Sequence, residues 1–163
     1  MTQTFTAASD EHIIDLIQFA EQRLVVAAPA FSMAVAEALA ERMSDLPNLA
    51  LTIILDADPE VYRMGYGEVA ALESIRAAAA KESFRLQEHA GIRIGLVISD
   101  ESTLIYAPLS ANIEAGSTSS DKPNGIYLDG AVTEMLVEKS TGVDVQGQPV
   151  KAEIGKESLS AAR

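Results

Sequence analysis

The sequence contains no cysteine, which excludes a disulfide framework, a thiolate nucleophile and any cysteine-based metal site, while leaving the compartment open. It is also poor in basic residues, with 12 Lys and Arg against 24 Asp and Glu and a formal charge of -12. Affinity for phosphate backbones and anionic lipid rests on clustered Lys and Arg, so neither nucleic acid nor a lipid surface is an expected partner. No apolar run reaches the about 18 residues that a membrane span needs. The opening MTQTFTAASDEH lacks a basic region followed by an apolar one, so no signal peptide is read and the cytoplasm is the expected location. What remains is a chain of 163 residues, 48% of them apolar, enough for one core and one domain.

Helical spacing appears in SDEHIIDLIQFAEQR, where Ile13, Leu16, Ile17 and Ala20 share a face and Ser9 or Asp10 can cap the start. LVVAAP breaks that period and suits a strand buried on both faces, ended by Pro29. SMAVAEALAERM returns to helical spacing from a Ser32 cap, and LALTIIL is a second buried strand. A long helix is expected over 68–88, with Leu72, Ile75, Ala79 and Leu86 inward and Gly91 as its stop. The hairpin GIRIGLVISDESTLIYAP follows, then a polar loop rich in Ser and Gly, a short strand IYL and a helix over about 130–139. The order of elements predicts an α/β fold: an αβα sandwich with a mixed, mostly parallel sheet and helices on both faces. Residues 1–142 form one lobe and 143–163 a tail, which reads as the beginning of a further region of a longer protein.

Along the first strand of the hairpin, Ile92, Ile94, Leu96 and Ile98 fall on one face and Arg93, Gly95, Val97 and Ser99 on the other, with Asp100 beginning the turn. This arrangement resembles the phospholipase D superfamily, whose signature HxKxxxxD lies on such a strand and its following turn. The resemblance puts Asp100 at the aspartate, Arg93 at the histidine and Gly95 at the lysine. In that family the histidine attacks phosphorus and the lysine steadies the phosphoryl oxygens. An arginine is always protonated in a protein and offers no lone pair, so the resemblance implies a lobe without its nucleophile. His12 and His89 are the only histidines; neither stands in an HxK sequence, and solvated or capping roles explain both. SANIEAGS is similar to the G-S-x-N segment of the family, with Ser110 and Asn112 inside a longer loop. Catalytic members join two lobes across a pseudo-two-fold interface, which implies that this single lobe forms a homodimer or pairs with a second lobe of a longer chain.

LDADPEVYRMGYGE, residues 55–68, is a dense polar cluster after a buried strand, and ligands of open α/β sheets sit beyond the carboxyl ends of strands. Two explanations stand side by side. In the first, Asp58 and Pro59 cap and begin a short helix, Asp56 pairs with Arg63, and the cluster ties the long helix to the sheet. In the second, Asp56, Arg63, Tyr66, Glu68 and Arg93 line one cleft and bind a small ligand through carboxylate and guanidinium groups. With Asp100 from the motif register, these six are the candidate ligand-binding residues. The expected function is a non-catalytic phospholipase D-like binding or assembly module with no cofactor. The alternative is a metal-dependent hydrolase or transferase using Asp56 and Asp58.

Overall fold

The computed structural model describes residues 2–110 and 122–130. Seven strands form one sheet in the order β1-β7-β6-β5-β2-β3-β4: β1 (Thr2–Thr6), β2 (Arg23–Ala27), β3 (Ala50–Leu55), β4 (Leu86–Glu88), β5 (Gly95–Ser99), β6 (Ser102–Tyr106) and β7 (Gly125–Asp129). The sheet is mixed, as expected, but not mostly parallel. Only β2 with β3 and β3 with β4 run parallel, and the other four pairings are antiparallel. The hairpin after β5 returns the chain next to itself, so β6 and β7 extend the sheet antiparallel instead of crossing over it.

Helices α1 (Asp10–Phe19), α2 (Met33–Asp45) and α4 (Val69–Glu82) contribute to one apolar cluster with the Leu24, Val26, Ile53, Leu55 and Val97 face of the sheet, and α3 (Pro59–Arg63) is a short turn of helix between β3 and α4. The caps follow the sequence. Ser9 accepts from the His12 amide, Ser32 from Val35, and Asp58 from Glu60 with Pro59 in the first turn, each satisfying an amide that the helix leaves unpaired. Val25, Ala27, Ile54, Leu96 and Ile98 form a second, smaller cluster on the opposite face, and no helix residue belongs to it among the described residues, so the helices expected on both faces are found on one. The helix expected over 130–139 and most of the polar loop lie outside the described residues.

The long helix ends earlier than its spacing suggests. Ser83 adopts the left-handed conformation at φ 61° after α4, and residues 86–88 leave the helix to become the edge strand β4. Gly91 is therefore not a helix stop, and His89 and Leu86 are not helical; Gly91 (φ 83°) turns the chain between β4 and β5. Strand β1 carries too little apolar alternation to be read from sequence, and it owes its place to antiparallel pairing with β7.

Asp100 occupies the β5–β6 turn at φ 52°. Its carboxylate accepts from the amides of Glu21 (3.0 Å), Gln22 (2.8 Å) and Arg23 (2.9 Å), and its carbonyl accepts from the Arg23 guanidinium (3.0 Å). Burial pushes its carboxyl up, but these three amides and the Arg23 charge more than offset that, holding the pKa below the ordinary carboxylate range. The residue thus clamps the α1–β2 connection to the hairpin. Asp100→Ala removes the acceptors and strains the turn, and is expected to cost ~2–3 kcal/mol in urea unfolding. Asp100→Asn, which tolerates this backbone and retains one acceptor oxygen, should cost clearly less.

Candidate functional site

Strands β2, β3 and β6 end, and β5 begins, at one edge of the molecule, opposite the edge that holds Asp100. Asp56 follows β3 there and is only 2% exposed. Its Oδ1 accepts from the Asp58 amide at 3.0 Å, and its Oδ2 accepts from the Gly91 amide and from Arg93 Nη1, each at 3.0 Å. Burial alone would raise its pKa; the two amides and the guanidinium reverse this and leave it below the ordinary carboxylate range. Arg93 also donates to its own Ile92 carbonyl (2.8 Å), and its guanidinium carbon lies 5.8 Å from the centre of the Tyr66 ring.

The six sequence-predicted residues therefore separate. Asp56, Arg93 and Tyr66 come together. Glu68 is close by and accepts from the Met33 amide (2.7 Å) at the start of α2. Arg63 is not the partner of Asp56; it lies on the exposed side of α3 beside Glu60, one helical turn away. Asp100 is at the far edge of the sheet. Asp58 serves as a helix cap, and among the described residues no group of three or more His, Cys, Asp or Glu side chains is arranged to hold a metal ion.

Gly95 stands opposite Tyr106 across β5 and β6. A Cβ built on Gly95 would come within 2.1 Å of Tyr106 Cζ, so the phenol ring lies directly on the glycine. Tyr106 is 8% exposed, and burial followed by the nearby Asp10 carboxylate raises its pKa.

Tyr106 borders a cleft of about 800 Å³ that also reaches Ser9, Asp10, Glu11, Phe31, Ser32, Tyr66 and Glu68. One wall is the 64–68 loop. Gly67 allows it to approach the backbone of Phe31, since a Cβ there would meet Phe31 O at 2.7 Å, and Glu68 N donates to Phe31 O at 3.2 Å. Asn124 closes the opposite side, accepting from the Ala8 amide and donating to the Ala107 carbonyl, both at 2.8 Å. Ser110 donates to the Met64 carbonyl, whereas Asn112 lies outside the described residues. Tyr106, Asp10, Glu11 and Asn124 were missed by the sequence reading; a glycine inside an apolar strand was the one available signal that another side chain approaches there.

No protein-family model matches the sequence, and no curated protein does. Solved structures supply the comparison. The chain is similar to TrmBL2, an archaeal chromatin protein described as showing a novel mode of DNA binding, with a TM-score of 0.56 at 10% identity over 82% of this chain and 44% of that one. It is also similar to a phosphatidylserine synthase of Haemophilus influenzae Rd KW20, with a TM-score of 0.53 at 12% identity over 79% of this chain and 33% of that one. The chain thus spans less than half of either neighbour, and the likeness is one of fold. The first neighbour overturns the exclusion of nucleic acid drawn from net charge. Net charge is a sum over all residues, whereas contact with DNA is made by a local surface, and a fold found in a DNA-binding chromatin protein is not closed to DNA on that sum.

Two outcomes check this geometry. Since the folded-state pKa of Asp56 lies below its unfolded value, its stabilisation is complete at neutral pH and is lost as pH falls through the folded-state value. Asp56→Asn should therefore lower stability at pH 7 and flatten the acid limb of a thermal-melt profile. Gly95→Ala should cost ~1–3 kcal/mol through overpacking against the Tyr106 ring, and little in a Tyr106→Ala background, as a double-mutant cycle of urea midpoints would show.

Proposed function

We propose that this chain is a non-catalytic phospholipase D-like binding or assembly module. The coarse architecture goes with it: an α/β lobe built on one mixed sheet, with α1, α2 and α4 packed on one face among the described residues. The observation that carries the reading is the pair of residues at the signature register. Arg93, at the histidine position, is bound to buried Asp56 and has no lone pair for attack on phosphorus. Gly95, at the lysine position, has no charge to offer, and the Tyr106 ring covers it. The likeness to a phosphatidylserine synthase supports the fold that this register presupposes. A metal-dependent reaction through Asp56 and Asp58 has less support, because both carboxylates already accept from backbone amides.

The purified chain is expected to release no nitrophenol from bis(p-nitrophenyl) phosphate above the buffer rate, with or without added magnesium or manganese. Turnover that scales with protein concentration and disappears in a His12→Ala, His89→Ala double variant would overturn the proposal by revealing a different nucleophile.

A further inference from the structure

We propose that β1 is a docking edge for a second copy of this chain, the two strands pairing antiparallel about a two-fold axis so that two sheets become one. The sheet has two edge strands among the described residues, and they differ. Strand β4 is three residues long, contains Glu88 and follows exposed Arg85. A short edge with charges on it is a poor template for another strand. Strand β1, TQTFT, is five residues long and has neither a charged side chain nor a proline. Gln3, Thr4 and Phe5 are all exposed, so both faces of the strand are open, and β7 is its one described strand partner. One row of β1 backbone N–H and C=O groups is therefore left for another strand to pair with.

The side chains of the sheet point to the same edge. Cross-strand register places Phe5, Ile126, Ile105, Leu96, Ala27 and Ile54 in one row over the face that carries the smaller cluster. The row is buried at Ile54, 4% exposed, and opens toward the edge through Ile126 at 42% to Phe5 at 76%. Its apolar surface thus runs out to the sheet edge and ends there uncovered, where one more strand would extend it.

A partner for this edge must bring an uncharged strand with an open side of its own, and β1 is the described strand of that kind. Antiparallel pairing of identical strands is self-complementary and closes as a two-fold dimer. Pairing centred on Thr4 overlaps all five residues, setting Thr4 against Thr4 and Gln3 against Phe5, with the Phe5 and Ile126 side chains of both copies on one face. No charged side chain of β1 meets another across the axis, so the net charge of -12 does not act at the strand contact. The contact involves neither Arg93 nor Gly95 and is independent of the non-catalytic reading.

Sedimentation velocity of the whole chain from micromolar to submillimolar concentration tests the proposal, and a concentration-dependent dimer is expected. Thr4→Asp sets like charges opposite each other at the axis and should raise the dimer dissociation constant by about tenfold or more. Its circular dichroism spectrum should be unchanged, because Thr4 is exposed in the single chain. Phe5→Glu should also weaken the dimer, and adding Gln3→Lys, which stands opposite it in the partner, should recover affinity several-fold. This second pair of variants reads the register whether or not Thr4→Asp folds. A monomer at every concentration, a dimer that Thr4→Asp and Phe5→Glu leave unchanged, or no recovery in the double variant would overturn the assignment. The phosphodiester assay is unaffected by any of these results.

Discussion

The buried Asp56 carboxylate is the contact on which the arrangement at the carboxyl edge depends. It follows the parallel strand β3, receives an amide from its own turn, and receives two further donors from the segment that leads into β5. One side chain therefore joins the parallel and antiparallel parts of the sheet at the edge where the cleft opens. Removing an acceptor shared by three donors loses three hydrogen bonds at once, so the loss extends beyond one pair. The Arg93 guanidinium is held in place by the same carboxylate and is thereby kept over Tyr66, on the border of the cleft.

Asp100 has the corresponding role at the opposite edge, where it fastens the loop before β2 to the hairpin. A carboxylate at such a turn is explained by its amide partners.

Much of the fold was legible in the sequence, and the reasons for the gaps are specific. Continuous apolar runs marked β2 and β3, and Ser9, Ser32 and Asp58 marked the helix starts, because those signals are local. The end of α4 was not legible: Leu86 continues the helical stripe of Ala79, and the residue that takes the left-handed conformation is a serine, not a glycine. The partner of Asp56 was misassigned to Arg63, which is nearer in sequence, whereas β3-to-β4 pairing and the turn at Gly91 bring Arg93 instead. Tyr106 was invisible as a cleft residue because its importance depends on cross-strand register with Gly95.

Strand β1 takes its place by pairing Thr2–Thr6 with Gly125–Asp129, so the first strand of the chain finds its neighbour only when the last described strand is available. During synthesis, which proceeds from the N-terminus, the segments from β2 to β6 can pair with one another while β1 has no partner. The pairing spans nearly the whole described chain, and the loop-closure entropy of so distant a contact must be met before its hydrogen bonds contribute. Closure of β1 onto β7 is then the late event in assembling the sheet, and the Asn124 clamp between Ala8 and Ala107 forms with it. That clamp is one wall of the cleft, so the cleft is completed only when the two ends of the sheet-forming chain have met.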